Sequence, residues 1–217
     1  SRPDYVLLWG WGVMNSTALK EAQATGFPRD KIYGVWWAGA EPDVKDVGQG
    51  AAGYNALALN GSGQDFPVVQ DILKHVYDKG NGTASNRAEV GSVLYNRGML
   101  IQMLGVEAVR TAQEKCGKCK VMTAGQVRWG MENLNLSKER LAELGFGDLA
   151  HPIQTTCQDH MGSMAARVQT WDGSKWNTAT DWIQADQAVV GPLVTAGAEK
   201  YAAEKKIAKR DAADCGA

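Results

Sequence analysis

The apolar positions of this chain fall into runs of changing period, and those changes delimit its elements. Residues 4–9 (DYVLLW) form a short continuous apolar run, the pattern of a strand buried on both faces of a parallel sheet. Gly10-Trp11-Gly12 breaks the run, Asn15-Ser16-Thr17 offers side chains that cap a helix, and ALKEAQAT carries that helix to Gly26 and Pro28. Residues 31–37 (KIYGVWW) repeat the strand signal, residues 38–44 read as loop, and residues 54–59 (YNALAL) predict a third strand before Gly61-Ser62-Gly63. The spacing of Val69, Ile72, Leu73 and Val76 predicts an amphipathic helix over 66–78, closed by Lys79-Gly80.

Beyond a polar crossover at 80–88, residues 90–114 predict one long helix. Its apolar positions, among them Leu94, Met99, Ile101, Met103, Val106 and Val109, go most of the way round, so it is expected to be buried. Thr123 and Gln126 have capping-box spacing and open a helix through Leu134, with a short one following over 137–144. Residues 167–171 and 176–182 flank Asp172-Gly173 as a hairpin. Residues 185–209, rich in Ala, Lys and Glu, predict a helix broken near Gly191-Pro192. Strands alternating with helices argue for an α/β layered fold, and no internal repeat is visible.

Composition narrows the function more than the fold. Lys+Arg 23 against Asp+Glu 24 leave a formal charge of -1, so no overall field draws the chain to nucleic acid, which is excluded as a partner. No apolar run approaches the roughly 20 residues that span a bilayer, and the chain reads as soluble. The start Ser1-Arg2-Pro3, without Met or signal peptide, is expected to reflect processing or truncation. Two biases stand out: 8 Trp against 3 Phe, and 25 Gly. Indoles supply flat amphipathic contact area and glycines let backbone approach a partner closely.

The indoles sit where ligands are bound in open α/β sheets, at the carboxyl ends of strands, where helix N-termini point into a crevice. Trp9, Gly10, Trp11 and Gly12 end the first strand; Trp36, Trp37, Ala38 and Glu41 end the second or follow it. Together they define the candidate ligand-binding rim. Gly10-Trp11-Gly12 is not a dinucleotide fingerprint, because Asn15 stands where its third glycine belongs. One turn into the long helix, Tyr95 and Asn96 add a phenol and an amide suited to a ligand's polar end, with Arg97, the usual partner of a carboxylate, set below them.

No catalytic constellation, metal site or cofactor motif emerges. His75 reads as surface, His151 as loop, and His160 beside Asp159 lacks a nucleophile; Ser16 and Ser163 lack an elbow context. Cys116 and Cys119 follow the negative end of a long helix, an environment that favours a structural disulfide or two idle thiols over a reactive pair. Cys157 paired with Cys215 would tie the C-terminal tail to the body.

The order of these segments resembles the type I periplasmic solute-binding proteins of branched-chain amino acid ABC transporters. The resemblance runs through DYVLLWGWG, NSTALKEAQATG, KIYGVWWAG, EPDVKDVGQGAAGYNALALN, VLYNRGMLIQMLGVEAVRTA and HPIQTTCQDHMGSMAARVQTWDGSKW. It implies two Rossmann-like α/β lobes, each with a parallel sheet, joined by hinge strands and closing on a ligand in a periplasmic cleft. It also implies release of that ligand to a membrane permease without covalent chemistry. The family's ligand loop falls on Trp9 to Gly12, Trp11 above all, and the acid that clamps an amino acid's ammonium falls near Trp36 or Trp37. An indole attracts a cation through its ring face but cannot replace a carboxylate. Glu41 is the nearest acid, so the expected ligand is a small apolar or aromatic organic acid rather than an α-amino acid.

Members of that family are longer, so the resemblance implies that the chain covers only the later part of the fold. Residues 1–88 then belong to the second lobe, 89–149 return to the first, 150–184 cross the hinge and form the second-lobe hairpin, and 185–217 are a helical tail. Contact with the missing N-terminal portion or with another copy of the chain is expected. A ligand-sensing domain of the same fold is the alternative reading, and a thiol oxidoreductase using Cys116 and Cys119 is the third.

Overall fold

Short strands and their helices alternate from the start of the chain. The computed structural model describes residues 3–118, 120–208, 210 and 213–216. In chain order the elements are β1 (Val6–Leu8), α1 (Val13–Ala24), β2 (Ile32–Gly34), α2 (Glu41–Val44), β3 (Asn55–Ala58), α3 (Pro67–His75), α4 (Val93–Cys116) and α5 (Ala124–Met131). There follow β4 (Asn135–Leu136), α6 (Lys138–Glu143), β5 (Ile153–Gln154), β6 (Ala165–Trp171), β7 (Trp176–Thr178) and α7 (Gln187–Lys205). The chain divides into two compact units. One holds the residues up to Ile101 with Lys138–His151 and Ala166–Ile183; the other holds Gln102–Ser137, Pro152–Ala165 and the residues from Gln184 on.

The first unit is built on a sheet of order β1-β2-β3-β6-β7. β1, β2 and β3 run parallel, with Leu7 opposite Tyr33 and Tyr33 opposite Asn55. β6 and β7 then add antiparallel, with Ala58 opposite Arg167 and Trp171 opposite Trp176. Leu19 of α1, Val44 of α2, Val93 of α4 and Tyr54, Ala56, Trp171 and Trp176 of the sheet region form one buried cluster. The two buried indoles meet edge to face with centroids 5.4 Å apart, a geometry that adds about 0.5–1.5 kcal/mol to the area they bury. The hairpin follows its sequence signal at Asp172-Gly173.

The second unit contains α4 from Gln102 on, α5, α7 and an antiparallel pair in which Leu136 of β4 faces Ile153 of β5. Met103, Ala108, Ala112, Leu134 and Leu136 are buried there. The capping box of Thr123 and Gln126 forms as the spacing predicts. Cys157 and Cys215 are joined by a disulfide, and Arg210 makes a bidentate pair with the buried Glu132, at 2.6 and 3.0 Å, that ties down the same C-terminal segment.

Several expectations are corrected. β1 is an edge strand whose side chains alternate: Val6 and Leu8 are partly buried against the core, whereas Tyr5, Leu7 and Trp9 are 62%, 69% and 77% exposed. A continuous apolar run therefore did not mean two covered faces: one face of β1 packs on the core and the other stands exposed. The second strand stops at Gly34, and Trp36–Ala38 form a turn of 3-10 helix. The stretch read as loop contains α2, opened by Pro42 in its first turn. α1 begins at Val13, ahead of the expected cap, because the Asn15 side chain turns inward instead. α4 is not buried all round: Leu94, Ile101, Val106 and Val109 are exposed, and its buried positions include the polar Asn96 and Glu107. α7 runs unbroken through Pro192. One backbone hydrogen bond is given up there, and the alanine-rich sequence that follows sustains the helix.

The hairpin turn carries a pH dependence of known sign. Asp172 accepts from the backbone N–H of Lys175 (2.9 Å) and Ser174 (2.8 Å), the Ser174 hydroxyl (2.8 Å) and the Asn177 amide (2.8 Å). These donors, Lys175 first, hold its carboxyl well below the usual carboxylate range. A pKa depressed by folding contributes stability that is full above the unfolded value and is lost as pH falls through the folded one. Asp172→Ala is therefore expected to lower the urea midpoint at neutral pH, by a margin that narrows as the solution is acidified, read by circular dichroism.

Candidate functional site

Two loops leave the carboxyl ends of β1 and β2, and one buried amide holds them together. Asn15, fully buried in the first turn of α1, donates through Nδ2 to the Trp37 carbonyl (2.9 Å) and to the Asp43 carboxylate (2.7 Å). Asp43 uses its other oxygen to accept the Ala40 N–H at 2.9 Å. The first loop thus fixes the second by way of α2. Asn15 Oδ1 faces the backbone of Gly10, where any Cβ would overlap it, and this is what demands glycine at position 10. That oxygen is buried without a hydrogen-bond partner among the described residues. Burial pushes the Asp43 carboxyl up, against the Asn15 and Ala40 hydrogen bonds that lower it.

On this frame stand three of the four predicted indoles. Trp11 is 62% exposed and Trp37 51% exposed, and their rings lie 5.0 Å apart in a tilted pair. Trp36 meets Trp37 edge to face at 5.3 Å. Trp36 takes a left-handed backbone conformation with φ 46°, which costs a non-glycine residue about 1–3 kcal/mol and is retained only where surroundings enforce it. The Arg97 guanidinium lies over the Trp36 ring, 4.4 Å from its centroid. Trp9 makes no ring contact with the other three among the described residues.

Arg97, ranked below Tyr95 and Asn96 by sequence, is the one of the three that reaches the indoles. Its Nε donates to Asn60 Oδ1 at 3.5 Å, and its terminal nitrogens have no hydrogen-bond partner among the described residues. Burial lowers its pKa, offset by the charges of Asp43 and Glu41. Asn96 is fully buried and donates to the carbonyls of Gly61 (3.0 Å) and Gly63 (3.1 Å). Tyr95 is hydrogen-bonded to Tyr77, and burial first, then that bond, push its phenol up to about 12. Both carboxylate oxygens of Glu41 accept the Val93 N–H, at 3.2 and 3.1 Å, capping the start of α4, while burial raises its pKa. Ala38 is buried and its carbonyl accepts the Tyr54 hydroxyl; Gly12 precedes α1 with φ 54°.

Sequence reasoning missed Asn15, Asp43 and Arg167. Arg167 was legible only as an arginine at an inward position of β6, a strand whose buried side otherwise carries Ala165, Gln169 and Trp171. His75 is exposed, His151 packs edge to face on Trp182 at 5.5 Å, and His160 lies 3.4 Å from Glu132. Cys116 ends α4 as a free thiol, and Cys119, the other half of the predicted pair, lies outside the described residues. Among the described residues, no helix is long and apolar enough to cross a membrane.

An aromatic rim thus stands at the carboxyl ends of two parallel strands, with a guanidinium over one of its rings. The chain belongs to the periplasmic binding protein family, whose sequence profile matches residues 1–176, and its fold is that of type I periplasmic binding proteins. A solved structure described as an ABC transporter permease from the Pseudomonas fluorescens group is 39% identical, with a TM-score of 0.92 over 97% of this chain and 50% of that one. A branched-chain amino acid ABC transporter from Thermus thermophilus with bound valine shares the fold at 22% identity, with a TM-score of 0.65 over 86% of this chain and 48% of its own. A leucine-binding protein from Thermotoga maritima does so at 16% identity, with a TM-score of 0.54 over 85% of this chain and 46% of its own. The chain therefore spans about half the length of these structures. A comparison with curated proteins finds no match.

The central role of Asn15 predicts a measurable cost. Asn15→Ala leaves the buried Asp43 carboxylate and the Trp37 carbonyl each short of a donor, and is expected to destabilise the protein by about 1–3 kcal/mol in chemical denaturation.

Proposed function

We propose that this chain is part of the solute-binding component of an ABC transporter, that it captures a small organic acid outside the cytoplasmic membrane, and that it hands the solute to a membrane permease unchanged. The observation that carries this reading is the cluster of Trp11, Trp37 and Trp36 with Arg97 on the Trp36 face. Indole faces give an apolar or aromatic solute contact area at low entropic cost, and a guanidinium with free terminal donors is suited to a carboxylate. In a branched-chain amino acid binder of this family, the acid that holds the ammonium would be expected near Trp36 or Trp37. Here the nearest acid, Glu41, spends its oxygens on the Val93 N–H. That substitution of indole and guanidinium for carboxylate supports an acid over an amino acid as ligand.

Two further parts of the reading follow the family. A binding component of this kind works in the periplasm or at the outer face of the membrane, and its remaining length and a permease complete the system. A further polypeptide segment or another copy of the chain is the proposed partner of the uncovered β1 face, where Tyr5, Leu7 and Trp9 are exposed.

Tryptophan fluorescence tests the site. Benzoate is expected to quench emission more strongly than leucine, and Trp11→Ala and Trp37→Ala are each expected to weaken benzoate binding about tenfold while leaving the unfolding midpoint nearly unchanged. Leucine binding more tightly than the acid, or both variants binding as the parent does, would contradict the reading.

A further inference from the structure

A second guanidinium approaches the same stretch of backbone as Arg97. Arg167 of β6 is only 8% exposed and lies over the Trp182 ring, 4.7 Å from its centroid. It has no hydrogen-bond partner among the described residues. Burial lowers its pKa, and the one charge found to offset this is that of Asp148. A Cβ on Gly61 would stand 2.4 Å from Phe66 Cζ and 2.6 Å from Arg167 Nη2, so the guanidinium closely approaches the Gly61 backbone. Arg97 donates to Asn60, the residue before it, at 3.5 Å. Two guanidinium groups thus reach adjacent residues just beyond the carboxyl end of β3, each resting on an indole and each with unused N–H donors. The carboxylates acting on Arg97, Glu41 and Asp43, have their oxygens committed to Val93, Asn15 and Ala40 and form no ion pair with it.

Burying a guanidinium without hydrogen bonds is costly, and a site that keeps one is built for a partner that arrives from outside. We infer that the first unit binds a dicarboxylate, one acid group on Arg97 and the other on Arg167, with the chain between them against the indoles. The inference rests on the reading of the chain as an organic-acid binder and names the class of acid. Arginine forks suit carboxylates because two parallel N–H groups match two oxygens. The indole under each guanidinium holds it in place without consuming those N–H groups.

Calorimetric titration of the protein with succinate, glutarate and adipate, against butyrate, valerate and hexanoate, tests this. At least one diacid is expected to bind ten times or more tighter than the monoacid of equal carbon number. Arg167→Gln is expected to remove that preference, so that a diacid and the monoacid of equal carbon number bind alike. Equal binding of diacids and monoacids by the parent protein overturns the inference and leaves the organic-acid reading standing, and this arm needs no variant to fold. A folded Arg167→Gln protein that keeps the preference also overturns it. Binding of leucine with no response to any acid overturns both readings.

Discussion

The amide of Asn15 is the constraint on which the rest of the site depends. Two strand ends in a parallel sheet are held at the spacing of the ladder, but the loops beyond them are free to diverge. Asn15 prevents this by binding the backbone of one loop and, through Asp43, the first turn of the helix that follows it. The network is buried, so its bonds count for more than they would in water, and leaving any of them unmade is costly. The consequence is that Trp11 and Trp37 keep their ring contact while remaining half exposed or more. An exposed aromatic pair without such support would collapse inward or pack on the nearest apolar surface.

A second layer of organisation joins charge to aromatic surface. Arg97 fixes the Trp36 ring, and Trp36 in turn tolerates a left-handed backbone that turns the chain from β2 toward α2. Arg167 and Trp182 repeat the arrangement. In both cases the ring shields one face of the guanidinium and leaves its edge, where the donors are. Carboxylates lie nearby, but Glu41 caps α4 and Asp43 is tied to Asn15 and Ala40. The acids serve the scaffold, while the guanidinium edges keep N–H donors that no described residue uses.

The period of the sequence revealed the α/β class, the hairpin and the capping box, because each depends on local chemistry: continuous apolar runs, Asp-Gly at a turn, Thr and Gln at fixed spacing. It also located the indole loops, since strand ends marked by glycine are visible without coordinates. It could not show which faces would be covered. Leu7 and Val106 read as interior residues and stand exposed, while Asn96, Glu107 and Arg167 are buried. Nor could it predict that Asn15 would forgo a helix cap for a partner 28 residues away, or that Arg97 rather than Tyr95 would turn toward Trp36. Those outcomes are set by contacts distant in sequence, which a local pattern does not contain.

The 8 tryptophans offer internal controls for the most direct measurement of the central claim. Two-dimensional NMR of the indole Nε1–H groups resolves each ring during titration with benzoate. The shifts are predicted to concentrate on Trp11, Trp36 and Trp37 while Trp171 and Trp176, buried in the core, stay in place. Shifts spread evenly over all the indoles, or confined to rings outside that rim, would contradict the account.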